Sequence, residues 1–207
     1  MLSGIWGITG LTTTMEDIMD IMDIMDITGS IGIKEAEALA RESEAAVPDE
    51  IAYYNAMPYK FDDFITVPTL TDGEIFLVCT EKFPAEPERN IVPSYIFIIC
   101  KGGEKIGGIN LRIGYSERLY YGGQIGYGLY EAHRGNGYAV AACRLIAQVA
   151  KAHGMEKLLI TNNYTNTASR RVCEKLGAKF VRLVKLPEWT DMYKEGQRFE
   201  NIYEWSI

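Results

Sequence analysis

Between His133 and Ala139 the chain reads His-Arg-Gly-Asn-Gly-Tyr-Ala, directly after the apolar run Gln124–Tyr130. The stretch that follows places Ala139, Cys143, Ile146 and Ala150 on one helical face. A strand that turns through two glycines into a helix leaves the first amides of that helix unpaired and aimed outward, where they and the helix dipole favour an anion. Glycine at 135 and 137 removes the side chains that would keep a phosphate from those amides, and Arg134 adds a fixed positive charge. The chemistry this pattern suggests is the holding of a phosphate-bearing ligand.

Three ligand classes compete for such a loop. The nucleotide signature Gly-x-x-x-x-Gly-Lys-[Ser/Thr] does not occur in the chain. The dinucleotide fingerprint is half present as Gly135-x-Gly137, but its third glycine position holds Val140, and the next strand ends in Thr161-Asn162 where an acid would meet ribose. A glycine pair that only turns a corner is the plain alternative.

Bulk properties narrow the partners. A net charge of -7 and a pI near 5.0 give no global positive field for nucleic acid or anionic lipid. The basic runs at Arg170-Arg171 and between Lys179 and Lys185 read as solvated faces. Cys79, Cys100, Cys143 and Cys173 are scattered and only two histidines accompany them, so no metal site is expected and the thiols suit a reducing, cytoplasmic setting. No basic leader precedes the first apolar stretch, and no uncharged run approaches the roughly 18 residues that span a bilayer.

The elements that must position the loop fall in a clear order. Glu74–Thr80, Ser94–Cys100 and Lys105–Ile113 are strand-like, the last two joined by a tight hairpin at Lys101–Glu104, which makes antiparallel neighbours. Gln124–Tyr130 is a further strand, a helix covers Asn136–Lys151, and Lys157–Thr161 is a buried strand. A second helix over Asn166–Leu176 is closed by Gly177, and strands at Lys179–Val184 and Ile202–Trp205 end the chain. Upstream, Lys34–Ala46 reads as a short helix stopped near Pro48. Residues 17–27 repeat one acid and two apolar residues, a period that suits neither strand nor amphipathic helix. Residues 1–60 are therefore taken as a low-complexity, in part loosely ordered extension, and residues 61–207 as the functional domain. A start placed too far upstream, with Met57 as the native first residue, is another account of the repeat.

Arg134-Gly135-Asn136-Gly137-Tyr138-Ala139 resembles the Arg/Gln-x-x-Gly-x-Gly/Ala motif of the GNAT superfamily of acyl-CoA N-acyltransferases. Asn166 to Gly177 resembles the Asn-x-Ala-Ser…Glu-Lys-Leu-Gly-Phe segment of its ribosomal-protein-alanine acetyltransferase branch. The two segments stand in the family's order, one helix and one strand apart, and the likeness covers roughly residues 74–207. It implies an α/β (α+β) fold with a mixed, mostly antiparallel central sheet flanked by helices. It further implies acetyl-CoA as cosubstrate, without a metal, held in a splayed gap beside the Gln124–Tyr130 strand. Leu129 and Tyr130 would face its pantetheine, the segment Arg134, Gly135, Asn136, Gly137, Tyr138 and Ala139 its diphosphate, and Asn166 and Ser169 its thioester end.

Direct acyl transfer needs a deprotonated amine, a stabilised oxyanion and a proton for the departing thiolate. The tyrosine that donates this proton in much of the superfamily is replaced here by Cys173, so the resemblance shifts the role to Ser169. Cys173 as nucleophile and Tyr127 as a wall of the acceptor cleft complete the candidate catalytic set, each with an ordinary core role as its alternative. The acceptor is expected to be an amine of a small molecule or peptide, with no nucleic acid or membrane as partner and a homodimer left open. Between the first two strands, Phe83 to Pro93 is too short for the helix pair that usually walls a GNAT acceptor site, so Tyr115–Gly123 and Pro187–Asn201 are expected to close that side. The competing function is a non-catalytic acyl-CoA-binding module.

Overall fold

The computed structural model describes residues 32–207; the repeat at 17–27 lies outside them. Two helices open the described chain, α1 (Ile33–Ser43) and α2 (Val47–Asn55), joined by a 3-10 turn at Glu44–Ala46. Pro48 does not stop the helix as the sequence suggests. It occupies the first turn of α2, where its missing N–H would have had no partner in any case.

Five strands follow in simple succession: β1 (Leu70–Thr71), β2 (Phe76–Phe83), β3 (Ser94–Lys101), β4 (Glu104–Arg112) and β5 (Ile125–Leu129), all pairing antiparallel with the neighbour in sequence. Alternation, interrupted by a bulge at Ile106, sets their faces. Leu77, Tyr95, Phe97, Ile99, Ile106, Leu111 and Ile125 turn into the core, each contributing about 1.5–3 kcal/mol of apolar burial. A short helix, α3 (Glu117–Gly122), capped by Ser116, sits between β4 and β5. The long helix α4 (Tyr138–Ala152) then crosses to a second, three-stranded antiparallel sheet made of β6 (Lys157–Asn163), β7 (Lys179–Lys185) and β8 (Phe199–Ser206), with α5 (Thr167–Leu176) and the four-residue α6 (Asp191–Lys194) in the connections. β8 is central in this sheet, which is why nearly all of it is buried, Glu200 and Asn201 included.

The two sheets meet at one point. The Gln124 backbone N–H donates to Leu159 O at 2.9 Å, and the neighbouring Leu159 N–H is taken by the Gln124 side chain, whose Oε1 accepts at 2.6 Å. Beyond this contact no ladder pairs β5 with β6, and the two strands part. The edge of β5 that faces the gap keeps free main-chain groups for a ligand.

The helix pair α1 and α2 precedes the first sheet, and neither helix lines the gap between β5 and β6. α1 lies on β7, where Ala36 and Ala40 pack with Leu183 and Phe199. α2 lies on α3, and a polar network ties it to the second sheet: Glu50 accepts from Tyr120 Oη at 2.6 Å and from Nε and Nη2 of Arg182, and Glu204 accepts from Tyr54 Oη and Lys157 Nζ. Burial and these carboxylates push the Tyr54 and Tyr120 phenols far up, so both remain donors. No described helix is long and apolar enough to cross a membrane.

Candidate active site

The gap between β5 and β6 opens into a cavity of about 740 Å³. Its walls are β5 from Ile125 to Leu129, the loop and start of α4, the end of β6, the first turns of α5, and Met192, Gln197 and Glu200 from the last connection and β8. Sequence-distant segments converge there: Tyr127, Leu129, Arg134, Gly135, Gly137, Tyr138, Ala139, Asn166 and Ser169 all line it.

At the head of α4 the helix cap is Gly137, in the left-handed region at φ +84°, and no side chain caps the helix. The first amide to find a helical acceptor is that of Ala141, bonded to Gly137 O, so the amides of 138–140 have no intrahelical partner. Gly135 is left-handed as well, and a Cβ at either glycine would meet nothing within 4 Å. The result is an open concavity with the positive end of a four-turn helix behind it. Arg134 is tethered by Nε to Leu129 O at 3.1 Å, which leaves its outer nitrogens toward the cavity mouth, and Arg171 and Lys175 line the same space. A chain of net charge -7 thus gathers basic groups around this mouth. Tyr138 anchors the start of α4 from beneath: its hydroxyl bonds the Lys101 ammonium, which lies 4.4 Å over its ring and pairs with Glu74 at 2.6 Å.

At the other end, α5 begins at Asn166, whose Oδ1 accepts from the Ser169 amide at 3.1 Å and so fixes the first turn. Ser169 Oγ is thereby held 2.9 Å from the phenol of Tyr127, a bond that bridges α5 and β5 across the cleft. Burial pushes the Tyr127 phenol well up, with the Ser169 hydrogen bond opposing in the smaller measure; Tyr127 is therefore protonated and able to donate. The pair amounts to a hydroxyl relay with one end in the cavity.

Three candidate residues lie outside the cavity lining. Cys173 does not reach the cavity: it is fully buried, accepts from Asn162 Nδ2 at 3.7 Å, and burial pushes its thiol up to about 12. Buried and held in the thiol form, it presents no thiolate to the cavity for nucleophilic attack. Tyr130 is exposed outside the cavity lining, with its amide bonded to Ile106 O. Asn136 also lies outside it, its side chain folded back to donate to the carbonyls of His133 and Arg134, so it shapes the loop from within. The two expected closing loops do meet: Trp189 packs edge-on against Tyr121 at 5.8 Å, and Arg118 pairs with Asp191 at 3.4 Å.

Sequence reasoning missed Gln124, Arg112 and Glu200. Arg112 lines the cavity with its guanidinium bonded to the carbonyls of Gly122 and Gly123, and burial lowers its pKa. Glu200 falls in the stretch Pro187–Asn201, which the sequence presents as a closing loop. Only the placement of β8 between two neighbours could reveal it.

A model of the acetyltransferase (GNAT) domain family matches residues 50–179, more than half of the chain. The chain belongs to the GNAT acetyltransferase family. It is an acyltransferase by that membership, with the five-stranded antiparallel sheet and flanking helices expected of the fold. Among solved structures it is similar to RimL, the ribosomal L7/L12 alpha-N-protein acetyltransferase, in its apo form, at 16% identity over 72% of this chain and 100% of that one, with a TM-score of 0.50. It is also similar to the Salmonella typhimurium acetyltransferase that modifies the N-terminal serine of L7/L12 (20% identity, 58% of this chain, 66% of that one, TM-score 0.45). A third is the microcin C7 self immunity acetyltransferase MccE in complex with acetyl-CoA and AMP (18%, 55% and 61%, TM-score 0.43). The chain thus spans 66% and 61% of the last two, and identities this low speak to the fold alone. No protein of curated function matches the sequence.

Proposed function

We propose that the protein is an acetyl-CoA-dependent N-acetyltransferase that moves the acetyl group directly from the thioester to an amine of a small molecule or peptide. The observation that carries this reading is the single cavity that runs from the uncapped amides of α4, past the free edge of β5, to the Tyr127–Ser169 pair. An anion cradle at one end and a proton source at the other are the two functions that a thioester donor with a diphosphate tail requires.

In this reading the amides of 138–140 and Arg134 hold the diphosphate, and the β5 edge pairs with the pantetheine amides. Charge-assisted bonds of this kind contribute about 1.5–3 kcal/mol each. Ser169 protonates the departing sulfur and is resupplied through Tyr127, whose raised pKa keeps the proton in place until a thiolate calls for it. The amine attacks in the ternary complex, so no covalent enzyme intermediate is needed, in keeping with the burial of Cys173. The Ser169-bearing segment supports a place beside the ribosomal-protein acetyltransferases within the family, with a peptide amine among the acceptors to test first.

The test is thiol release from acetyl-CoA, followed with a thiol reagent, over small primary amines and peptides with free N-termini. Amine-dependent release with formation of the N-acetyl product is the expected result. Tight binding of acetyl-CoA with no turnover on any amine would instead identify a non-catalytic acyl-CoA-binding module.

A further inference from the structure

Glu200 lies in the interior of β8, between Asn163 of β6 and Val184 of β7. It is 3% exposed, and it lines the cavity that also holds Tyr127 and Ser169. No hydrogen bond or ion pair from another described residue reaches its carboxylate. The contrast with its neighbours is direct. Glu204, four residues on and so on the same face of β8, has Lys157 and Tyr54, and Glu50 has Arg182 and Tyr120.

Of the charged groups on the surrounding elements, Arg134, Arg171 and Lys175 line the same cavity, and Arg170 pairs with Glu174 at 3.8 Å and leaves its Nη1 without a partner; the following are committed elsewhere. Arg112 is bonded to the carbonyls of Gly122 and Gly123, Arg182 to Glu50, Arg198 to the carbonyls of Tyr193 and Gln197, Lys194 to Asp191, and Arg118 to Asp191. The polar neighbour on β6, Asn163, donates to Gln197. A buried carboxylate without a partner costs several kcal/mol when ionised. Its opening into a ligand cavity marks the place where a partner is to arrive.

We propose that Glu200 is the acceptor-side carboxylate of the site: it receives the ammonium group of a cationic primary amine and removes the proton that blocks its lone pair. This rests on the coenzyme reading, which puts the thioester in the same cavity. A neutral hydroxyl or amide acceptor would leave the ionised carboxylate uncompensated, whereas an ammonium supplies both charge and donors. The step balances as follows. Ionised Glu200 takes one proton from R–NH3+, and the freed nitrogen attacks the thioester carbon, forming C–N and breaking C–S. The new amide nitrogen sheds one further proton while the thiolate gains one through Ser169 and Tyr127. The net proton released is the one on Glu200, which returns to solvent. Burial alone displaces the titration of Glu200 upward, to about 8, so before the amine arrives the carboxyl is largely protonated at neutral pH, and binding of a cation drives its proton off.

Calorimetry tests this in two stages. Coenzyme A is titrated first. The CoA-saturated protein is then titrated with 1,4-diaminobutane, glycinamide and alanyl-alaninamide in two buffers of different ionisation heat, at several pH values. At least one amine is expected to bind with release of up to one proton, a release that shrinks as the pH passes about 8. Glu200→Gln is expected to weaken that amine about tenfold or more, as for loss of a charged hydrogen bond, and to abolish the proton release while CoA affinity stays the same; Glu200→Asp restores the release. Amine binding without proton release, equal amine affinity in Glu200→Gln, or no binding by any of the three amines to a protein that binds CoA would overturn the proposal. Failure in the first stage would overturn the coenzyme reading instead.

Discussion

Replacing Gly137 by alanine separates the anion cradle from the rest of the cavity. The added Cβ meets no atom within 4 Å, so the cost to the fold is conformational: a residue at φ +84° that is no longer glycine carries about 1–2 kcal/mol of strain. For a chain of this size that lowers Tm by roughly 2–8 °C, and the variant should still fold. The methyl group stands at the helix entrance beside the unpaired amides of 138–140, where the diphosphate would sit. Loss of one charge-assisted amide bond, about 1.5–3 kcal/mol, raises Kd for CoA roughly tenfold to a hundredfold. Isothermal titration with CoA and with pantetheine, which has the same thiol arm but no diphosphate, isolates the effect. CoA should weaken and pantetheine should not. Unchanged affinity for CoA, or an equal loss for both ligands, would show that this helix entrance is not what holds the diphosphate.

Removing either hydroxyl of the bridging pair, by Ser169→Ala or Tyr127→Phe, should lower kcat about a hundredfold or more with CoA binding unchanged. The double variant should be no slower than the poorer single one, because both break the same 2.9 Å bond, and multiplicative losses in the kinetics would show separate roles. Gln124→Ala strips the buried Leu159 amide of its acceptor and should cost about 1–3 kcal/mol, seen as a lower urea midpoint; an unchanged midpoint would mean that the junction of the two sheets does not depend on it. Arg182→Ala leaves Glu50 without its cation beneath α2 and should cost about 3 kcal/mol, which melting curves would register and an intact Tm would contradict. The fourth concerns pH. The folded pKa of Glu200 is raised from 4.5 to about 8, so between those values the folded chain binds more protons than the unfolded one, and this residue's contribution to stability falls as pH rises through that window. Glu200→Gln should therefore melt above the wild type at pH 8.5 by more than it does at pH 5, and a difference independent of pH would refute the buried, uncompensated carboxylate.

How much of this was readable without coordinates differs from residue to residue. The loop at 134–139 was, because a strand, two glycines and a helix in immediate succession allow few conformations, and its chemistry follows from local backbone geometry. The start of α5 was too: Asn166 three residues before Ser169 is a local capping arrangement, and Gly177 closes the helix. The strands and their antiparallel order came from alternation and from a tight hairpin, both short-range signals. Pro48 was misread because a proline looks the same whether it ends a helix or begins one, and the three-residue turn that separates α1 from α2 has no strong signature.

Tertiary structure decided what depends on neighbours distant in the chain. Ser169 and Cys173, four residues apart, share one face of α5, so what opens the one and seals the other is position along the helix: Ser169 stands in the first turn at the cleft, and Cys173 lies one turn further on, against Asn162 of β6. The gap itself follows from which strands pair, β5 with β4 and β6 with β8, and Gln124 joins the two sheets beside it by a contact across 35 positions. Glu200 was invisible for the same reason: an acid in the expected loop at 187–201 reads as solvated until β6 and β7 close on either side of β8. Sequence by itself determined the local geometry that cradles an anion and presents a hydroxyl, because those are properties of a few consecutive residues; the cavity that unites them, and the lone carboxylate in its wall, arise only when sheets and helices exclude water from each other's surfaces.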